Sequence, residues 1–442
     1  MLSKLAKRIL PKPVKSALAR KWDQIVLAKL ERDWAAMPML PDGSRGEEPP
    51  AILIFPADTR SLTGSIGDEA MLSVTIKTIR SRFPEIQIDI LTSHREADEV
   101  ARARGLHPIR IPSNWNYVPR MNDIFRKSNY KLILLIGADI MDGHYGSSYP
   151  AKMLIASYLS SKREIISIFL GFSFNSLPDL RLKPFFDGLN KNSIINLRDP
   201  VSLKRFNQFS KSPANLVADV AFLLDSETLS PDTTESIEWI VERKNSGKRV
   251  IGFNAHPLLY KNSQEDKLNN MILKSIDIIS EFISNSDLSF IFIPHDYRGD
   301  KSDETIMRPI YDELTKKHHL DVHFVSGRHS AAALKAISGS LDGLVSGRMH
   351  LSIGALSAGV PVLNLTYQDK TQGLMRHAGL PDWLLLSPEE AFENDELAPR
   401  LVRLIENLPE LRAAACAHLP TIKASALANF DKLPNRKTMA AP

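Results

Sequence analysis

Apolar residues along this chain fall into short unbroken runs separated by polar, helix-length segments. Ala51 to Phe55, Ile86 to Leu91, Leu132 to Ile136, Ile165 to Leu170 and Ile194 to Leu197 are such runs. Continuous apolar stretches of this length read as strands covered on both faces. Asp68 to Phe83 has the length and composition of a helix, and the other intervals also have room for crossover helices, which predicts a parallel α/β sheet. Between Asp225 and Ser236 the sequence turns polar without hydrophobic periodicity and reads as a linker. A second series follows, with strand runs at Val250 to Asn254, Phe290 to Pro294, Val322 to Val325, Gly343 to Val345 and Val360 to Leu363. The expected organisation is an extension over 1–50, an α/β domain over 51–224, a linker over 225–236, a second α/β domain over 237–387, and terminal helices and tail over 388–442. Two doubly wound, Rossmann-like α/β domains facing a cleft place ligands at the C-terminal ends of their strands.

Composition narrows the picture without changing it. A chain of 442 residues has room for two or three domains, and 43% apolar with 24% charged residues is ordinary globular usage. No apolar run approaches the roughly 18 residues of a spanning helix. The single cysteine, Cys416, allows neither an intrachain disulfide nor a cysteine-built zinc site, which suits a reducing, cytoplasmic setting. Lysine and arginine exceed acids by a net +5, but residues 1–21 alone hold seven basic side chains and no acid, so the body is close to neutral. That argues against nucleic acid as a partner. Pro11 and Pro13 interrupt what would be the apolar core of a secretion signal. Leu2, Leu5, Ile9 and Leu10 share a helical face opposite lysines, so residues 1–33 read either as a solvated basic helix or as a peripheral contact with an anionic membrane. On that reading, deleting residues 1–33 spares catalysis on a soluble acceptor.

Candidate chemistry lies where strands end. After the first strand, Thr63-Gly64-Ser65-Ile66-Gly67-Asp68-Glu69-Ala70 is a glycine-bearing turn opening a helix, suited to an anion or a sugar but lacking the Walker A and dinucleotide fingerprints. Gly67, Asp68 and Glu69 are acceptor candidates here. His295 and Asp296, with Asp300, follow another strand and form a second acceptor-binding candidate, unconvincing as a metal site. Asn254 and His256 occupy a comparable position. The most distinctive run is Val345-Ser346-Gly347-Arg348-Met349-His350-Leu351, followed by Ala358-Gly359-Val360-Pro361 and by Tyr367-Gln368-Asp369-Lys370-Thr371-Gln372-Gly373. Arg348 alone reads as a salt-bridge residue and His350 alone as a half-buried imidazole. Together, two positions apart at a strand mouth, they read as a site.

The Ser-Gly-Arg-Met-His element, the Ala-Gly-Val-Pro helix end and the Tyr-x-x-Lys-x-x-Gly tail resemble the polysaccharide pyruvyl transferase family. Gly67 to Ala70, Arg198-Asp199-Pro200 with Ser202, and Asp219 beside Ala221-Phe222 are similar to further parts of that family. Met349 stands where leucine is commoner, and Gly137-Ala138-Asp139 replaces a more glycine-rich turn. The resemblance implies a fold similar to the glycosyltransferase-B type. It also implies transfer of a pyruvyl group from phosphoenolpyruvate to two hydroxyls of a sugar on a lipid-linked precursor, with release of phosphate. Arg198, Arg348, His350 and Lys370 are the implied catalytic residues, with Ser346 and Gly347 joining Arg198, Arg348 and Lys370 around the donor.

The chemistry of the residues agrees with that implication. A small frame carrying a carboxylate and a phosphate calls for several fixed cations, and arginine forks match both groups. Protonation of the methylene carbon, attack by one hydroxyl, phosphate loss and attack by the second need a proton carrier near neutrality, for which His350 is the candidate. The scheme calls for no metal or cofactor besides the co-substrate. Side chains at a cleft are expected to be replaceable without loss of the fold, so Arg348→Ala and Lys370→Ala are expected to abolish turnover alone. A nucleotide-sugar glycosyltransferase and a non-catalytic glycan-binding subunit remain as alternatives on the same fold.

Overall fold

In the computed structural model, which describes residues 12–36, 49–226, 231–260, 265–299, 302–366 and 370–436 (side chains at positions 12, 13, 232 and 370 excepted), the chain forms two parallel sheets. Strands β1 (Ala51–Phe55), β2 (Gln87–Thr92), β3 (His107–Arg110), β4 (Tyr130–Ile136), β5 (Ile166–Phe172), β6 (Ser193–Leu197) and β7 (Ala214–Leu216) are ordered β3-β2-β1-β4-β5-β6-β7. The second sheet runs β10-β9-β8-β11-β12-β13, from β8 (Arg249–Asn254), β9 (Leu288–Phe292), β10 (Val322–Phe324), β11 (Gly343–Ser346), β12 (Val362–Leu365) and β13 (Leu385–Leu386). Every pairing is parallel. Both sheets share the order of a doubly wound fold, and their strands read as unbroken apolar runs because both faces are covered. On β1, Ile52 and Ile54 enter a core continuous with the second domain, while Ala51, Leu53 and Phe55 enter the opposite core.

The helices that matter for function are α1 (Lys12–Ala35), α2 (Ile66–Arg82), α3 (Ser148–Ser161), α4 (Pro200–Phe209), α5 (Pro231–Asn245), α6 (Met349–Leu356), α7 (Lys370–His377) and α8 (Leu408–Leu427). Helix α2 occupies nearly the span expected for it. Helix α5 begins inside the stretch expected to be a linker. Its first inward positions, Thr233 and Ser236, meet His329 and His323 through side-chain hydrogen bonds, so the apolar part of its buried face begins only at Ile237 and Ile240. The edge strands β3, β7 and β13 were not expected either. They are two to four residues long, and β3 and β7 carry few apolar side chains.

The first and last described helices are both tied into the first domain. After α8, Asn429 accepts from the Gly171 N–H at 2.7 Å and donates to the Ala218 carbonyl at 2.9 Å, tying the C-terminus back to β5 and the segment after β7. At the other end, Val26, Leu27 and Leu30 of α1 are buried in the first domain's core, and the Trp34 ring lies 4.8 Å from that of Phe185. Asp23 accepts from the backbone N–H of Ser147 and Ser148, at the start of α3. The second half of residues 1–33 is therefore structural, and its removal is not neutral as the sequence suggested: it exposes a core.

Candidate active site

The cleft between the sheets encloses about 1350 Å³, above the usual range for a single small ligand. Its walls come from the C-terminal ends of strands in both domains, as the doubly wound order requires. Two links close the junction: Ser65 and Asp296 form a backbone bridge, and Arg328 donates to the Thr63 carbonyl at 2.6 Å.

The turn after β11 builds one wall. Ser346 Oγ accepts from the Arg348 N–H at 3.1 Å, which fixes the turn into α6, with Arg348 extended just ahead of the helix. The Arg348 guanidinium reaches Asp303 Oδ1 through Nε at 3.0 Å and Nη2 at 2.5 Å, and Nη1 lies 3.4 Å from Asp296 Oδ2. Asp296 is in turn held by Arg298 at 2.9 and 2.7 Å. Burial would raise the Asp296 pKa, but its bonds to Arg298 and the Arg348 charge hold it below the usual carboxylate range. Asp303 Oδ2 accepts from Asn254 Nδ2 and the His295 N–H, leaving Asn254 Oδ1 buried without a partner. The two carboxylates are buried, at 0% and 1% side-chain exposure, while Arg348 and Arg298 reach 15% and 44%. The cluster is neutral as a whole, yet its cations face the cleft and its anions lie behind.

His350, on the first turn of α6, packs against the backbone of α2. A Cβ added at Gly67 would lie 2.2 Å from His350 Nδ1, so only glycine leaves room for the ring. On the far side, His350 Nε2 lies 3.6 Å from Asp219 Oδ2, within ion-pair range but too long for a hydrogen bond, and it is buried without a hydrogen-bond partner. Asp219 caps the short helical turn after β7, accepting from the Ala221 N–H, and pairs with Arg198 Nη1 at 2.6 Å. Burial opposes charge on Asp219, but Arg198 and His350 hold its carboxyl well below the usual range. Arg198 also donates from Nε to Ser173, while its Nη2 has no partner. Ser173, Arg198, Asp219 and His350 thus form a line running outward to the cleft.

Several expected site residues have other places. Arg198 does not line the cleft: its side chain is 3% exposed and engaged behind His350, so it supports the imidazole rather than the cleft surface. Ser346 is buried in its own turn, whereas Gly347 lines the cleft. Glu69 points away from the cleft and pairs with Arg104 at 2.7 Å, and Asp296 serves as an arginine clamp. His295 lines the cleft, and burial, followed by His350 and Arg348, pushes its pKa down and keeps it neutral. His256 is fully engaged, accepting from the Leu258 N–H on Nδ1 and facing the Gly347 carbonyl from Nε2 at 2.8 Å. The Lys370 side chain lies outside the described residues, as do Tyr367, Gln368, Asp369 and Asp300. The helix that Lys370 opens packs on the Arg-Asp-Pro element: a Cβ at Gly373 would lie 2.2 Å from Asp199 Oδ1, and Asp199 caps α4 by accepting from Ser202.

Asp68 does line the cleft. Burial lifts its pKa to about 7, with Arg298 opposing and Asp139 adding to the rise, so it exchanges a proton near neutrality beside His350. Asp303, Arg298 and Arg328 were missed by sequence reasoning, since a lone charged residue in a loop carries no spacing signal. Trp22, Trp115, Tyr145 and Tyr149 line the same cleft. Among the described residues no group of three or more potential ligands gathers in a metal-binding arrangement.

The family model for polysaccharide pyruvyl transferases matches residues 66–369. A search of curated protein sequences returns no significant match. Among solved structures, the chain is similar to UDP-GlcNAc 2-epimerase from Neisseria meningitidis, with a TM-score of 0.54, 13% identity, and coverage of 87% of this chain and 99% of that one. It is also similar to a glycosyltransferase from Rickettsia africae, with a TM-score of 0.53, 12% identity, and coverage of 89% and 96%. At such identities these matches establish the glycosyltransferase-B type fold and nothing about the reaction.

Proposed function

The chain belongs to the polysaccharide pyruvyl transferase family, and on that premise we propose that it transfers the pyruvyl group of phosphoenolpyruvate onto two hydroxyls of a sugar, forming a cyclic ketal and releasing phosphate. The observation that carries the reading is the His350 imidazole, seated on Gly67 with Asp219 behind Nε2, on the wall that also presents Arg348 and Arg298. The Gly347 backbone and the two guanidiniums hold the donor's carboxylate and phosphate, and their preset charge stabilises the departing phosphate. Lys370 is assigned to the same donor on the family pattern. A proton passes to the methylene carbon, which becomes the methyl group, and the neighbouring carbon gains oxocarbenium character. One sugar hydroxyl adds there and gives up its proton, the C–O bond to phosphate breaks as the leaving phosphate takes up a proton, and the second hydroxyl adds to the regenerated oxocarbenium and gives up its own proton, closing the ketal.

Two groups share the proton traffic. His350 carries a proton at the donor wall, with Asp219 behind it in position to stabilise the imidazolium and Arg198 holding Asp219 ionised. Asp68, with its lifted pKa, takes the proton from an attacking hydroxyl. The acceptor sugar occupies the aromatic end of the cleft, where Trp115, Tyr145 and Tyr149 offer flat apolar surface with polar edges. We assign the acceptor to a lipid-linked precursor of a polysaccharide. No helix among the described residues is long and apolar enough to cross a membrane.

The test is to incubate the purified protein with phosphoenolpyruvate and a panel of acceptor oligosaccharides, following phosphate release and the mass of the acceptor. Acceptor-dependent phosphate with matching ketal formation supports the proposal. Consumption of a nucleotide sugar with no phosphate from phosphoenolpyruvate overturns it in favour of glycosyl transfer. His350→Asn is expected to retain donor binding and lose turnover.

A further inference from the structure

We propose that the outward face of helix α1 seats the protein on an anionic membrane surface, with the aromatic mouth of the cleft at the bilayer boundary. The helix has two faces with different roles. Its inner face is consumed by the fold, through Val26, Leu27, Leu30 and the Asp23 bonds to the start of α3. Its outer face is apolar where a solvated helix is usually polar: Val14, Leu18, Trp22 and Ile25 are 42%, 40%, 49% and 43% exposed. At the spacing of an α-helix these four fall within an arc of roughly 80°. Lys15 and Lys21 are exposed along the two margins of that arc.

Charge selects the occupant. Residues 1–21 carry seven basic side chains and no acid, and the first acid, Asp23, is turned into the domain. An apolar line flanked by lysines, on a helix of modest hydrophobicity, matches the interfacial boundary of an anionic leaflet better than it matches an apolar protein partner. Position supplies a second argument. Trp22 meets Trp115 edge to face at 5.9 Å, Trp115 and Tyr145 are 50% and 52% exposed, and all three line the cleft mouth. Amphipathic aromatic rings of this kind settle at headgroup depth. A protein bound this way presents its cleft to a sugar held at the surface by a lipid, so the inference rests on the proposed acceptor for its purpose but not for its measurement.

The test is vesicle flotation with the full chain and no substrate, comparing phosphatidylglycerol-containing vesicles with pure phosphatidylcholine ones. Binding is expected only to the anionic vesicles, weakening with salt because charge attraction is screened within about 8 Å at physiological ionic strength. Lys15→Gln with Lys21→Gln is expected to weaken binding roughly thirtyfold, and Leu18→Ser with Ile25→Ser about tenfold. These side chains point outward, so unfolding temperature and turnover of a soluble acceptor are expected to stay at wild-type values, which separates this inference from the donor reading. Absence of binding to anionic vesicles at low salt, or undiminished binding by both double variants, overturns it. So does a tryptophan emission that stays unchanged on adding anionic vesicles, which would leave Trp22 and Trp115 to the acceptor sugar alone.

Discussion

Replacing Gly67 with alanine is the most discriminating single change, because it perturbs the imidazole without touching its chemistry. The new Cβ would lie 2.2 Å from His350 Nδ1, 2.6 Å from Cγ and 2.8 Å from Cε1, where ordinary contact begins near 3.4 Å. The ring must retreat by roughly 1 Å, toward Asp219 or into the cleft. A displacement of that size at a reacting group costs about 10²-fold in rate. Stability moves far less. Alanine favours the helix by about 0.5–1 kcal/mol over glycine, against about 1–3 kcal/mol for forcing a methyl into a packed site. Acceptor-dependent phosphate release is therefore expected to fall about a hundredfold, mainly in kcat, while the unfolding temperature changes by a few degrees at most. Combining Gly67→Ala with His350→Asn tests whether the effect runs through the imidazole. The double variant is expected to be little slower than His350→Asn alone, since both act on one group. A Gly67→Ala protein within threefold of wild type would show that His350 has no fixed position in the reaction, and the assignment of proton transfer to it would fall.

Arg348→Ala is expected to lose stability as well as turnover, contrary to the simple expectation for a cleft side chain. It strands the Asp303 carboxylate, which has 0% side-chain exposure, and removing one partner of a buried pair costs about 3–5 kcal/mol by denaturant titration. Asp68→Asn is expected to change the pH dependence of stability. The carboxyl titrates at about 7 when folded against 3.8 ordinarily, so the folded state holds the extra proton and wild-type stability falls as pH rises from about 4 to 7. Asparagine removes that slope, so melting temperatures of the two proteins should converge near pH 4 and the variant should be the more stable at pH 8. Deleting residues 1–33 is expected to lower the melting temperature sharply. The deletion removes Val26, Leu27 and Leu30 from the core, each contributing about 1.5–3 kcal/mol when fully buried.

The architecture is legible in the amino-acid order. Parallel strands covered on both faces must be continuously apolar, so β1, β2, β4, β5, β6 and β8 to β12 are visible as runs. That order also pointed to the cleft that Arg348 and His350 line, because a doubly wound sheet opens at its strand ends and these residues follow one of them. The edge strands β3, β7 and β13 were hidden because two to four residues, most of them partly exposed, leave no period. The first turn of helix α5 was hidden because hydrogen bonds from Thr233 and Ser236 replace apolar contact on its inner side until Ile237 and Ile240. The division of labour among charged residues, by contrast, is set only once the chain is folded. Arg198 and Arg348 look alike in sequence, yet one is spent on Asp219 behind the imidazole and the other faces the cleft. Asp68 and Glu69 are adjacent, yet helical geometry turns one to the cleft and the other to Arg104. Whether a charge is functional depends on which opposite charges the fold brings within a few ångströms and how much water it leaves, and both are set by segments far apart in the chain.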